Sequence, residues 1–284
     1  MALLRRLQAV SFDGSCDPGS FLDSNQCCDD SELSRKTSKR IYSTSEFVNL
    51  DKLDVNYETY PFPHVIIDNF FNEDKIEETL QHINSMSDDD AATKFLNPDN
   101  PYEYNKFGFR GNLPSFLNRI FAEFASSEFV EKLETLTGID DLIKEQSDLR
   151  GAGIHRIRKG GYLQLHTDFN TYTDDGVIMD RRINLLLYLN PDWKEEYRGE
   201  LCMCDSETRK CVKKVLPVLN RCVIFSTTNK SIHGHPVPLA TPEGVCRQSI
   251  AMYYYTKNTQ SGDTDFEGDH HHTTLWHSDI DVDA

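Results

Sequence analysis

A switch in hydrophobic period near residue 151 divides the sequence. Before it, apolar residues recur at helical spacing. After it come short β-rich runs, GYLQLHTDF, RRINLLLYLN, GELCMC, CVKKVLPV, RCVIFST and RQSIAMYYYT, separated by Gly, Pro, Asn and Asp. Such a series following helices predicts an α+β, mainly β chain in which a sheet sandwich or barrel is buttressed by N-terminal helices. No internal repeat is visible, and one domain over residues 46–257 suffices, with helical support at 60–150 and the β core at 151–257.

Within the support, YPFPHVIIDNFF reads as the first strand, and Asn72 is placed to cap a helix carrying Ile76, Leu80 and Ile83 on one face. A second helix is expected from about Pro114, with Leu117, Phe121 and Phe124 inward. A third runs through Val130, Leu133 and Leu136 to a stop at Gly138. Residues 87–112 are acidic and rich in Asn and Pro and read as a loop, whose Tyr102, Tyr104, Phe107, Phe109 and Arg110 pack onto the core or, as the less favoured alternative, form a lid. Residues 1–45 are Ser-, Asp- and Gly-rich and predict a disordered arm. The first residues, MALLRRLQAVSF, also suit a short targeting helix. Residues 258–284 form an acidic, His-containing tail whose Thr274-Leu275-Trp276 can dock on the core.

The net charge of −16 narrows the partners: the first 45 residues balance, and the last 28 contribute −6. So negative a chain repels phosphates, which argues against nucleic acid, and no run approaches the ~20 apolar residues of a membrane span. Eight cysteines without a repeated C-x-x-C predict reduced thiols inside a cell, most simply the cytoplasm. Cys202, Cys204 and Cys211 fall on one predicted hairpin, either as buried thiols or as an incomplete zinc site, and the His270–His272 run with His277 reads by composition either as metal-binding or equally as part of a mobile acidic tail.

His166 and Asp168 stand two apart at the end of a strand, so alternation gives them one face and offers an imidazole and a carboxylate to one ion. A second cluster, FSTTNKSIHGHPVPL, supplies His233, 65 residues after Asp168, and His235. Two histidines and one carboxylate suit a non-haem Fe(II) centre with open positions, although zinc hydrolases use similar donors. Arg247 follows His233 by 14 residues and shares a strand face with Ser249. A guanidinium directed into a barrel requires an anion, either a protein carboxylate or a dicarboxylate ligand. Candidates around these groups, for substrate or for support of the ligands, are His235, Asn184, His155, Arg156, Arg158, Arg110 and Gln164, with Arg182 a further cation for an anionic substrate.

GAGIHRIRKGGYLQLHTDFN, RRINLLLYLNPDW, GEL, SIHGHPVPL and RQSIAMYYYT resemble, in order and spacing, the prolyl-4-hydroxylase-like branch of the 2-oxoglutarate and Fe(II)-dependent oxygenases, over residues 60–256. The resemblance implies a double-stranded β-helix, the jelly roll of cupin-like proteins, with iron at one mouth. It implies His166, Asp168 and His233 as iron ligands, His233 being preferred to His235 because the family ligand precedes the Gly of this turn. Arg247 and Ser249 match the anchor of the 2-oxoglutarate tail, and Tyr162 matches a position that supports that cosubstrate. Arg198-Gly199-Glu200 departs from the Gly-Gly that commonly precedes Glu-Leu. The implied cofactor is Fe(II), with 2-oxoglutarate and O2 as cosubstrates and ascorbate as the reductant of iron. The implied reaction releases succinate and CO2 and oxidises an unactivated C–H bond by hydroxylation, desaturation or ring closure. No peptide-binding module accompanies the core, so the expected substrate is a small amino-acid-like metabolite of natural-product synthesis. A protein prolyl hydroxylase and an inactive binding roll are the alternatives. No obligate protein partner is implied.

Overall fold

The computed structural model describes residues 45–145, 152–174, 176–257 and 272–283. Expectations for the N-terminal arm, the targeting helix and His270–His271 lie outside these residues. Ser43–Ala284 is one compact unit.

The helical half begins with β1 (His64–Asp68) and α1 (Glu73–Asn84), followed by the strands β2 (Thr93–Phe95) and β3 (Glu103–Phe109). Two more helices follow, α2 (Ser115–Ala125) and α3 (Ser127–Thr137). Asn72 occupies the N-cap position of α1, yet its amide is drawn away to donate to Glu46 O, so the cap is not made by that side chain. Ser126 caps α3 by accepting from Phe129 N, and Gly138, in the left-handed region at φ 70°, ends it.

Residues 87–112 are not the expected loop. They hold the β2–β3 hairpin, because only the Asn-Pro-Asp-Asn-Pro segment at 97–101 breaks the strand pattern. Phe107 and Phe109, two apart on β3, are buried, and β3 gains a second partner in β4.

The second half contributes β4 (Gly153–Thr167), β5 (Thr171–Asp174), β6 (Val177–Tyr188), β7 (Leu201–Asp205) and β8 (Lys210–Val215). They are followed by β9 (Arg221–Ser226), β10 (Ile232–His235), β11 (Arg247–Lys257) and β12 (Leu275–Trp276). The strands pair antiparallel in the order β1-β9-β6-β11-β4-β10-β7-β8, with β3 and β12 also on β4. The long β4 belongs to two walls. Its residues Gly153–Ile157 pair with β11, while Leu163 and His166 pair with β10. The sheet therefore curls into a jelly roll, mainly β, with helices on one face.

Alternation separates the two faces of the roll. Ile250, Met252 and Tyr254 of β11 join Ile183, Leu185 and Leu187 of β6 in the core shared with α2 and α3. Arg247, Ser249 and Tyr253 point to the opposite face. Inside the roll, Phe62, Tyr188, Leu201, Met203, Val215, Val223 and Phe225 fill one end. Each fully buried aromatic or aliphatic side chain contributes about 1.5–3 kcal/mol, and this packing leaves the other end for polar groups. No helix among the described residues is long and apolar enough to cross a membrane.

Candidate metal centre

His166 lies on β4, Asp168 just beyond its end, and His233 on β10 directly opposite His166. Their candidate ligand atoms all fall within 4.8 Å of one another, and no other such His, Cys, Asp or Glu group occurs among the described residues. His166 Nδ1 is 2.8 Å from Gln164 O, and His233 Nδ1 is 2.9 Å from Ser231 O. Since carbonyls only accept, both Nδ1 atoms carry protons, which directs both Nε2 atoms toward the centre.

Those Nε2 atoms lie 3.5 and 3.7 Å from Asp168 oxygens. Burial pushes the Asp168 carboxyl up, but Arg181, His233 and His166 together hold it well below the usual carboxylate range. Burial pulls His233 down to about 4, so it is neutral at pH 7. Two imidazoles and an ionised carboxylate thus converge on one point, a donor set that a cation would hold together. The donor set of two imidazoles and a carboxylate fits Fe(II) and leaves coordination positions open.

Arg181, 1% exposed, is the counter-charge of Asp168, with Nη2 2.9 Å from Oδ2. Its guanidinium also lies 3.5 Å from the Tyr253 ring centroid and 4.6 Å from that of Phe169. Asn184 donates to the same carboxylate oxygen at 3.1 Å. Arg181 went unforeseen, Arg182 being named instead. The signal was present, since a buried ionised aspartate requires a cation and the sequence places two arginines nearby. Choosing between them needs the pairing of β6 with β11, whose register shifts between Tyr254 and Tyr255.

The centre opens into a cavity of about 270 Å3, whose walls include His155, Arg247, Ser249, His235 and Asn184. Arg247 is 5% exposed and donates to Gly199 O at 2.8 Å. It also packs on the Tyr188 ring, and no carboxylate among the described residues pairs with it. Burial lowers the pKa of this guanidinium, the signature of an unrepaid desolvation cost. His235 is 2% exposed with neither ring nitrogen hydrogen-bonded. A buried guanidinium without a carboxylate among the described residues, in the same cavity as the candidate metal ligands, suits a dicarboxylate held between a metal and that guanidinium.

Gly199 makes the position of Arg247 possible. Its φ is +78°, and a Cβ there would overlap Leu239 and stand 3.2 Å from Arg247 Cδ. Gly199→Ala is expected to raise the 2-oxoglutarate KM at least tenfold and to cost about 1–3 kcal/mol through overpacking, read from steady-state kinetics and urea unfolding. An unaltered KM would dissociate Gly199 from the pocket.

Other expected residues are placed elsewhere. On β4 only His155 and Ile157 of the 155–158 segment line the cavity, as alternation requires. Arg156 faces outward and is saturated by Gln248, Met86 O, Asp88 and Ile83 O, while Arg158 pairs with Asp88. Both line a separate groove of about 620 Å3. Tyr162 donates to Asn100 O at 2.6 Å and is absent from the cavity wall, as is Gln164. The cause is a bulge: the two-residue step His233 to His235 opposes the three-residue step His166 to Leu163, so Leu163 takes the cavity face. Arg110 stands at the cavity's edge. The wall also includes Phe95, Glu103, Lys106 and Trp276, unforeseen because each comes from a strand outside the β series. Cys202, Cys204 and Cys211 are buried free thiols on the β7–β8 hairpin.

A jelly roll with two histidines and an aspartate converging at one mouth is the arrangement expected of a non-haem metal oxygenase. Residues 152–255 match the model of the 2OG-Fe(II) oxygenase superfamily, so the chain carries the domain of a 2-oxoglutarate-dependent dioxygenase, which uses Fe(II), 2-oxoglutarate and O2. No curated protein matches the chain. Among solved structures it is similar to a Pseudomonas putida prolyl-4-hydroxylase (15% identity, TM-score 0.49, covering 73% of this chain and 96% of that one). It is also similar to a prolyl hydroxylase from Trichoplax adhaerens in complex with a hypoxia inducible factor peptide fragment (18%, 0.48, 72% and 86%). A third is HygX from Streptomyces hygroscopicus with nickel and 2-oxoglutarate bound (12%, 0.46, 76% and 94%).

Proposed function

We propose that the chain oxidises an unactivated C–H bond of a small amino-acid-like metabolite, by hydroxylation, desaturation or ring closure, in natural-product synthesis. His166, Asp168 and His233 hold Fe(II), and Arg247 with Ser249 holds the distal carboxylate of 2-oxoglutarate. The observation that carries this reading is the pairing, in one cavity of about 270 Å3, of a two-histidine, one-carboxylate donor set with a buried arginine that has no carboxylate partner among the described residues. Bound iron supplies oxidative decarboxylation of 2-oxoglutarate by O2, releasing succinate and CO2 and delivering the oxidising equivalent to the substrate.

The chain's own side chains do the rest. Asn184 and Arg181 fix Asp168, and the Nδ1 hydrogen bonds to Gln164 O and Ser231 O fix the two imidazole rings. His155 and His235 offer hydrogen bonds to whatever fills the cavity. On the hairpin wall, Lys106 and Glu103 form an ion pair at 2.9 Å, with Arg110 beyond. Both signs of charge beside one small cavity suit a zwitterionic amino acid.

The second reading is a protein prolyl hydroxylase. It is favoured by a separate groove of about 730 Å3 that shares Arg110 with the cavity. Purified protein with Fe(II), ascorbate and 2-oxoglutarate, given either free amino acids or Pro-containing peptides, is expected to release succinate in excess of background only with the free amino acids. Turnover on the peptides alone would replace the first reading by the second. Free thiols at Cys202, Cys204, Cys211, Cys222 and Cys246 fit a reducing, cytoplasmic setting.

A further inference from the structure

The family match ends at residue 255, but the cavity wall does not. Chain from the C-terminus returns as β12 and pairs antiparallel with the end of β4, placing Leu275 opposite Thr167 and Trp276 opposite His166. Alternation then turns Leu275 outward, while Thr274 and Trp276 line the cavity. The indole centroid is 5.2 Å from the His166 ring and stacks on Tyr102 at 4.7 Å and 18°.

This segment is fastened on both sides of the indole. Before it, His272 N donates to Asn170 Oδ1 at 2.9 Å and the His272 ring meets Asn229 Oδ1. After it, His277 N donates to Leu165 O and Cys211 N to Asp281 O, both at 2.8 Å. Arg209 pairs with Asp279, and Ile280 is buried against Leu165, Ile232 and the β7–β8 cysteines. Surface tails do not ordinarily carry so many backbone bonds and a buried anchor; the order surrounds one residue, Trp276, beside a candidate metal ligand.

From this we infer that residues 272–283 form a strap that walls the reactive cavity, and that Trp276 is a positioning residue: it holds the His166 ring against β4, excludes water from that side, and presents an aromatic surface to the C–H-bearing part of the substrate. The inference rests on the assignment of His166 as a metal ligand. Tyr102, 44% exposed and outside the cavity wall, braces the indole by stacking on it. The aromatic face suits a saturated carbon chain or ring better than a charged group.

Cobalt(II), a redox-stable stand-in for Fe(II), provides the test through calorimetry on the full chain. Removing partners that orient metal ligands typically weakens metal binding about ten- to a hundredfold, and that loss is expected for Trp276→Ala, while Trp276→Phe recovers to within about threefold. Cobalt affinity of Trp276→Ala equal to wild type would overturn the positioning role. Should Trp276→Ala fail to fold, hydrogen exchange on the wild type decides: amides of 273–277 are expected to gain protection when cobalt and 2-oxoglutarate bind, and unchanged exchange there would sink the strap. His166→Ala separates this from the underlying assignment, because cobalt binding by that variant at wild-type affinity would overturn the ligand role itself.

Discussion

Asp168→Ala is expected to eliminate iron-dependent succinate release and to destabilise the metal-free protein by about 3–5 kcal/mol, the usual cost of removing one partner of a buried ion pair. His166→Ala should eliminate the same activity at nearly unchanged stability. The two proposed ligands differ because Asp168 is also the carboxylate paired with Arg181, a guanidinium 1% exposed that stacks on Tyr253 and Phe169 but has no other carboxylate within ion-pair distance among the described residues. Without Asp168 that charge stays buried with no carboxylate among the described residues to neutralise it. The double variant Asp168→Ala/Arg181→Met is therefore expected to recover most of the lost stability and none of the activity. Urea denaturation of wild type, Asp168→Ala, Arg181→Met and the double variant, combined as a double-mutant cycle, gives the coupling energy. A coupling near zero would show that Arg181 does not depend on Asp168.

Arg247→Met separates function from stability in the opposite direction. Hydrogen bonds to charged groups contribute about 1.5–3 kcal/mol, so loss of the guanidinium should raise the 2-oxoglutarate KM about ten- to a hundredfold. The metal-free protein should be no less stable than wild type, because Arg247 is buried with only Gly199 O and Tyr188 Oη as hydrogen-bond partners. Its lowered pKa has the same origin: the folded state without ligand disfavours the charge. Wild-type cosubstrate affinity in this variant would remove Arg247 from the pocket, while a stability loss of several kcal/mol would mark it as a structural residue. Arg247→Lys is expected to fall between, since an ammonium lacks the planar fork that grips a carboxylate.

The fold class and the donor set were legible in sequence because both follow from local periodicity. The six β-rich runs all fall on strands, and the spacing of His166, Asp168, Arg247 and Ser249 places each pair on one face. Where a strand departs from strict alternation, legibility fails. The bulge between Leu163 and His166 moves Tyr162 and Gln164 off the cavity, and the register shift on β11 accompanies the choice of Arg181 over Arg182. A bulge is a compromise between two paired strands, so neither strand's sequence specifies it alone. The β2–β3 hairpin was hidden for a similar reason, its second strand being completed by β4 from 45 to 60 residues away.

By itself the sequence determined the chemistry available: a mainly β roll, two imidazoles and a carboxylate at its mouth, and an arginine that needs an anion. These depend on side-chain identity and on the period-2 geometry of a strand, both local properties. Tertiary structure alone decided which atoms are free and what encloses them. The carbonyls of Gln164 and Ser231 fix the ring protons, Gly199 makes room for Arg247, and the wall beside His166 is built by Trp276, more than 100 residues further along the chain. Enclosure requires surfaces from distant segments to meet, and the free energy that brings them together comes from pairing and burial that only the folded chain possesses.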